Sequence, residues 1–421
     1  MRIEFQGVHR RSLRRLSLAL AASLFALPAL AGDITVLLPG DGYAPDVLQA
    51  FEKDTGIHVD QQTLAWDQLH TRIITALVAG TAPADVIELD WSWVGQFGAA
   101  GWLEPLDGKV EQSALDEISV LPIFKYDGKI VGAPYNNDFK MMVVNTDHLK
   151  KAGIDKVPRT MDELLAAGKA IKEKGITKYP FGLPLSVGEA TSTAWYLITM
   201  MYGGTLFDAN GEPAFTDPSS GGYKALQFIK QAIDDGLIDP ASTAYGNPEV
   251  REAFKAGDIS FILSDGPGPL ATYNDKEKSR VAGNSAGAVV PNVTGKTETY
   301  GLPEALAIPA ASTNKEDALK FINYVMGKDA QVQSYLEHGT LPTRKDALMD
   351  LNGKGKLESG DAIVEQVSSV NPLFAEGTPP WYPPFSNAAA SAVNAVATGQ
   401  MTVPDAIASI AKAAKSAMNG N

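Results

Sequence analysis

Short apolar runs alternate along this chain with stretches of helical period. Ile34 to Leu38 reads as a buried strand, and Val47, Leu48 and Phe51 then recur on one helical face that stops at Gly56. His58 to Asp60 opens the next extended stretch. Leu69, Ile73, Ile74 and Leu77 line a second helix that ends at Gly80, and Asp85 to Leu89 reads as the strand after it. The opening is therefore β-α-β-α-β, the pattern of an α/β protein. Further on, Phe139 to Val144 reads as a strand, and Thr160 with Glu163 forms a capping-box start for a helix reaching about Gly175. Asn210-Gly211 between apolar flanks predicts a hairpin over 207–215. Helices are expected at 219–236 and 247–256, the latter with Asn247 as cap and Pro248 in its first turn. Strands are expected at 259–264 and 306–309. Ala318, Phe321, Ile322 and Val325 share a helical face, as do Ile407, Ile410 and Ala414 near the end.

Length adds a domain count. A chain of 421 residues exceeds what one core usually serves, so two domains are expected. No repeat, low-complexity tract or Pro/Gly/Ser linker separates them, so the chain is expected to cross between two discontinuous lobes more than once. Residues 32–137 with 302–350 are assigned to an N-terminal lobe, and 138–301 with 351–421 to a C-terminal one.

The first residues change the picture again. A basic stretch to Arg15, an apolar run from Leu16 to Leu30 and the triplet Ala29-Leu30-Ala31 predict a signal peptide over 1–31, cleaved after Ala31. The apolar run is too short for a bilayer span. Neither Arg10-Arg11 nor Arg14-Arg15 is followed by the apolar pair of a twin-arginine signal, which favours the general secretory route into the periplasm. The formal charge is −13. The first fifteen residues hold five arginines against Glu4 alone, a balance of +4, which leaves −17 on the rest. Such a surface repels nucleic acid. With no cysteine, an exported chain must draw its stability from core size rather than disulfides.

In open α/β sheets ligands bind beyond the carboxyl ends of strands, which directs attention to three loops. The first holds Asp41 and Tyr43, the second Asp90, Trp91 and Trp93, the third Asp265 and Gly266. Asn137 and Asp138 precede a strand, and Glu304 is a further polar candidate. Carboxylates accept hydrogen bonds while Asn both donates and accepts, a match for hydroxyl-rich solutes. Indole and phenol rings suit the apolar C–H face of a sugar. Each has a plainer use. Asp41 or Asp90 could cap the helix that follows. Trp91 and Trp93 would diverge on a helix, leaving one for the core. Trp195 lies in an apolar run where core packing is the stronger claim, and Trp381 and Tyr382, among four prolines, form either a ring-presenting loop or a structural corner.

Other motifs fail on context. Gly283 to Gly287 fits G-x-S-x-G, but the preceding Asp275 to Arg280 are mostly charged or polar rather than a hydrophobic strand. The five histidines show no paired spacing, and Gly266 with Gly268 lacks the third glycine of a dinucleotide fingerprint. No catalytic residue, metal or cofactor is expected.

Gly40 to Tyr43, the run Phe51 to Val59 and Ala79 to Val86 closely resemble the opening of family 1 extracellular solute-binding proteins, maltose-binding protein among them. Ala100 to Leu106, Pro134 to Asp138, Asn145 to Asp147 and Ser312 to Glu316 extend the likeness over essentially the whole mature chain. The resemblance implies two α/β lobes joined by crossing segments, a ligand between them, and hinge closure, in a monomer that serves the inner-membrane permease of an ABC importer. It implies that Asp41 and Asp138 are acidic sugar contacts, that Asp90 to Trp93 hold aromatic and polar contacts, and that Gly266 leads toward a stacking aromatic. The pattern breaks there: Gly268 stands where maltose-binding protein has a tryptophan, and Ser386-Asn387 where it has a Trp-Tyr pair. Those departures point away from maltodextrin and toward a smaller sugar or a polyol, with Trp381 and Tyr382 as substitutes from the preceding loop. Two alternatives stay open on the residues themselves: a glycoside hydrolase or lyase using paired carboxylates, and a receptor for a cationic solute such as a polyamine or betaine caged by acidic and aromatic side chains.

Overall fold

The computed structural model describes residues 32–40, 42–208, 210–374 and 377–420. The expected signal peptide over 1–31 and the expected contact at Asp41 both lie outside the described residues. Nine strands frame the site: β1 (Asp33–Pro39), β2 (His58–Leu64), β3 (Val86–Asp90), β4 (Ala133–Asn136), β5 (Met141–Asn145), β6 (Phe181–Gly182), β7 (Phe261–Asp265), β8 (Ser285–Ala288) and β9 (Glu304–Ala307). They form two sheets, ordered β2-β1-β3-β9-β4 and β8-β5-β7-β6.

The first sheet is the predicted β-α-β-α-β opening made real. β1 pairs in parallel with β2 from Asp33↔His58 to Pro39↔Leu64, and with β3 through Val36↔Val86. The helices Pro45–Thr55 and Trp66–Val78 make the two crossovers, burying Val47, Phe51, Leu69 and Ile73. β9 returns antiparallel between β3 and β4, although more than 160 residues separate it from β4 in sequence. Strands of the second sheet fill that interval, so the lobes are discontinuous.

The chain passes between the sheets at 137–140 and again near 300–303, and the two passages pair. Phe139 bridges Gly301 antiparallel, Leu302 N–H donates to the Asp138 carbonyl at 2.8 Å, and Lys140 N–H donates to the Tyr300 carbonyl at 3.3 Å. A third strand segment, Val370–Asn371, runs parallel to Thr299–Tyr300 and carries the chain onward to its last helices.

Several local readings meet their structure. Thr160 and Glu163 form the capping box of helix Met161–Glu173. Asn247–Ala256 is helical with Pro248 in its first turn, but its cap is Gly246, whose N–H donates to Glu249 at 2.9 Å. The hairpin over 207–215 is present and short: Asp208 N–H donates to the Glu212 carbonyl and Ala214 N–H to the Leu206 carbonyl, each at 2.9 Å, on either side of the antiparallel bridge Phe207↔Pro213, while the Phe207 ring packs edge-on to Phe215 and Phe385. Ser285 lies in β8 and donates to Asn274 Oδ1 at 2.7 Å, a structural hydroxyl. The proline-rich corner at 379–384 starts a helix, Tyr382–Ala397, with two prolines in its first turn, where a missing N–H costs nothing. No helix among the described residues is long and apolar enough to cross a membrane.

The turn before that helix lies directly on the first lobe. Gly95, in helix Val94–Ala99, has no room for a Cβ: it would overlap the Thr378 carbonyl and crowd Pro379. Gly95→Ala should therefore push the 378–381 turn away from the first lobe and destabilise the protein by about 1–3 kcal/mol, the usual range for overpacking. Urea unfolding measures this, and an unchanged midpoint would show that the turn is not seated on Gly95.

Candidate functional site

Parallel strands β1, β2, β3 and β4 all end at one edge of the first sheet, and β9 begins there. Asp90, Glu304 and Asn136 are thereby neighbours: Glu304 is registered against Asp90 on one side and Asn136 on the other. In the second sheet β7 ends at Asp265 opposite Met141, so the passage Asn137–Lys140 joins the two edges. This is the cleft that the carboxyl-end rule predicts.

On the first lobe, Tyr135 Oη lies 2.8 Å from Glu88 and 3.2 Å from Glu304, and Asn136 Nδ2 donates to Glu304 at 3.0 Å. One phenol carries one proton and cannot donate to both carboxylates. Burial and the neighbouring negative charges of Glu304 and Asp90 hold the Glu88 carboxyl well above its ordinary range. Burial raises Glu304 to about 7, against the lowering effect of its bond from Asn136. Asp90 accepts from Ser92 N–H at 2.8 Å and from the Ser92 hydroxyl, and burial still raises it well above the usual carboxylate value. This turn with Ser92 replaces the helix cap that the sequence allowed, since helix Val94–Ala99 is capped at Trp93 without a side-chain bond.

At the passage, Asp138 accepts from Phe139 N–H at 3.0 Å. Its pKa is raised to about 6 by burial, against the pull of Lys140 and Arg251. Asn137 is buried, donates its backbone N–H to Leu341, and keeps Oδ1 without a hydrogen-bond partner, an acceptor awaiting a donor. Lys140 is buried with its pKa lowered by desolvation, near Asp138 and Asp265.

On the second lobe, Asp265 is almost wholly buried and holds Arg251 through Nη2 at 2.7 Å and Nε at 3.1 Å, while also accepting from Gly266 N–H at 2.9 Å and from the Tyr273 hydroxyl. Asp265 thus positions a guanidinium rather than offering itself. Gly266 packs so closely that a Cβ there would overlap the Asp138 carboxylate. Glu189, at the start of helix Glu189–Met201, accepts from Tyr382 and, at 2.7 Å, from Ser386. Its carboxyl is raised by desolvation although water reaches the residue, the signature of a cleft wall. Tyr382 also sets its ring edge against Trp91 at 5.1 Å, joining the lobes.

Of the predicted contacts, the fold gathers Asp90, Trp91, Asn137, Asp138, Asp265, Gly266, Glu304 and Tyr382. Others sit elsewhere for physical reasons. Trp195 is fully buried, with Nε1 donating to the Gly222 carbonyl at 2.9 Å and its ring edge-on to Phe215 at 5.2 Å, so it is a core residue between helices Glu189–Met201 and Gly221–Asp234. Tyr43 is buried behind Tyr135 and against Phe321. Trp93 stacks among Trp66, His70 and Phe97 on the first lobe. Trp381 packs with Phe207, Phe374 and Phe385, away from the carboxylates. Four residues escaped sequence reading: Glu88, Lys140, Glu189 and Arg251. Glu88 was signalled by its place inside a strand buried on both faces.

Between the lobes, beside Asp138 and Arg251, lies a cavity of about 480 Å³ reaching Gly268, Tyr273 and Gly339. A larger hollow of about 780 Å³ runs along helix Trp66–Val78, but it is the surface of one helix and gathers no carboxylates.

Residues 37–332 match the bacterial extracellular solute-binding protein family. The chain belongs to that family. A binding protein of Brucella abortus is 30% identical over 312 residues, spanning 73% of this chain and 74% of its own length. A Pseudomonas aeruginosa relative, described as a mannitol-binding protein, is 26% identical over 320 residues, 72% of either chain. Among solved structures, a maltose-bound protein of T. maritima superposes with a TM-score of 0.80 at 26% identity, covering 91% of this chain and 99% of the other. A Thermotoga lettingae solute-binding protein with bound α-D-tagatose gives 0.81 at 26% identity, covering 92% and 100%. The two-lobed architecture of this solute-binding protein follows.

Its buried carboxyls make a pH prediction. Unfolded, Glu304 and Asp138 titrate near pH 4, whereas the fold raises them to about 7 and about 6. Between those values the folded protein keeps protons that the unfolded chain has released, so these groups make stability fall as pH rises from about 4 to 7. Glu304→Gln should flatten that slope by up to about 1.4 kcal/mol per pH unit. Urea titrations at pH 5, 6, 7 and 8 read it out; parallel slopes in the two proteins would contradict a raised Glu304.

Proposed function

We propose that this solute-binding protein captures a small neutral carbohydrate, a sugar or polyol, between its lobes, closes over it, and delivers it unchanged to the permease of an ABC importer. The observation that carries this reading is the gathering of Asp90, Glu304, Asn136 and Asp265 at the facing carboxyl edges of the two sheets, with Asn137 and Asp138 on the passage between them. A carboxyl accepts from solute hydroxyls and Asn both donates and accepts, as a hydroxyl-bearing solute requires. Lys140 and Arg251 compensate the neighbouring Asp138 and Asp265, which offsets the negative charge that a polyamine or betaine would need. The relatives support the carbohydrate class, being described as binding mannitol or seen with maltose and tagatose.

In this reading the lobes comprise 32–137 with 302–350 and 138–301 with 351–421. The protein works as an exported, periplasmic monomer after cleavage at Ala31. Asp41, Asp90, Trp91, Asn137, Asp138, Gly266, Glu304 and Tyr382 surround the ligand, joined by Glu189 and Arg251. Release requires the permease to favour the open state.

Thermal unfolding against monosaccharides, disaccharides, polyols, polyamines and amino acids tests the class, because a ligand of the folded state raises the midpoint. A carbohydrate should raise it by an amount that hardly changes between 20 and 500 mM salt, and should be recovered chemically intact. A shift with polyamines alone, falling as salt rises, would reverse the assignment. Turnover of the sugar would make the protein an enzyme.

A further inference from the structure

We infer that the solute is an open-chain polyol rather than a sugar ring, and that Arg251 is the residue that selects it. The inference rests on the reading of the cleft as a carbohydrate site and concerns the interlobe cavity of about 480 Å³, a volume suited to a small solute. A pyranose carries an apolar C–H face that binding sites cover with an aromatic ring. An open-chain polyol has a hydroxyl on every carbon and needs hydrogen bonds on all sides.

The cavity wall answers the second need. Tyr273 is its one phenol or indole ring, and that ring is buried edge-on to Phe254 at 5.0 Å with its hydroxyl spent on Asp265. Trp91 and Tyr382, set edge-on against each other, are only 4% and 1% exposed. Gly266, Gly268 and Gly339 present backbone instead of side chains, and beyond Gly268 a Cβ would meet nothing within 4 Å.

Opposite that backbone stands Arg251. Asp265 engages its Nε and Nη2, which fixes the plane of the guanidinium. The side chain stays 35% exposed although its partner carboxylate is 2% exposed. A guanidinium fixed in this way donates in one plane to adjacent oxygens, which suits neighbouring hydroxyls of an extended chain; an ammonium offers only a point charge. The charges bordering the cavity also cancel in pairs: Arg251 with Asp265, Lys255 with Glu252 at 2.5 Å, and Asp138 beside Lys140. The balance favours a solute without net charge over a sugar acid.

Calorimetric titration of the purified protein with D-mannitol, D-glucitol and ribitol, set against D-mannose, D-glucose and maltose, tests the inference. At least one polyol should bind at least tenfold more tightly than the ring sugar of matching carbon count. Arg251→Lys, which keeps the charge and removes the fork, should weaken that polyol at least tenfold. Gly268→Trp should do the same by filling the cavity, without touching the Arg251–Asp265 pair, and it stands as the test if the lysine variant fails to fold. Ring sugars bound as tightly as polyols, or both variants binding the polyol like wild type, would overturn the inference while leaving the carbohydrate reading in place. Binding of neither class would overturn both.

Discussion

Two backbone hydrogen bonds, Leu302 to Asp138 and Lys140 to Tyr300, hold the passages between the sheets side by side. Everything at the cleft depends on that pairing. It sets the Asp138 carboxylate at the junction of the two carboxyl edges and delivers β9 into the first sheet with Glu304 between Asp90 and Asn136. Short connecting segments of this kind are what a hinge needs, because a few residues absorb the rotation while each sheet moves as a body. In the proposed reading the groups that bind are carried by the segments that bend, which would couple closure to recognition through the same backbone.

Burying so many carboxyls would be prohibitive if all were charged. The protein meets the cost in two ways. On the first lobe Glu88, Asp90 and Glu304 are pushed toward the protonated form by burial and by one another, and Tyr135 shares its hydroxyl between two of them. On the second lobe Asp265 remains beside a guanidinium and a phenol. One wall gathers carboxyls whose burial disfavours their charge and the other holds a compensated charge.

Much of the fold was legible because its elements are local. The parallel opening follows from apolar runs and glycine stops, and the interrupted lobes from the missing linker. Asp90 and Asp138 were legible as candidates because they follow or precede strands. What escaped depends on partners distant in sequence. Arg251 reads as one more exposed charge on an amphipathic helix until β7 brings Asp265 beside it. Glu189 opens a helix, where an acid is ordinary, and becomes part of the cleft only when Tyr382 and Ser386 arrive from nearly two hundred residues away. Aromatic residues misled in the other direction. Rings suited to a sugar are equally suited to a core, and Trp195 and Trp381 found closer neighbours in Phe215 and Phe374. Helix Tyr382–Ala397 was hidden by the prolines that start it.

The two glycines after β7 differ in kind. At Gly266 the Asp138 carboxylate occupies the space a Cβ would need, so the site itself excludes a side chain. At Gly268 nothing stands within 4 Å of where a Cβ would be, and the backbone would accept one. A side chain there is permitted by the fold yet absent, and that vacancy opens directly onto Arg251 and Asp138. Sterics account for the first glycine; in the proposed reading the second leaves room for the guest. Where a stacking ring would have narrowed the cleft onto a flat sugar face, an open wall of peptide groups leaves length for a chain of hydroxyls, each able to find a donor or an acceptor along it.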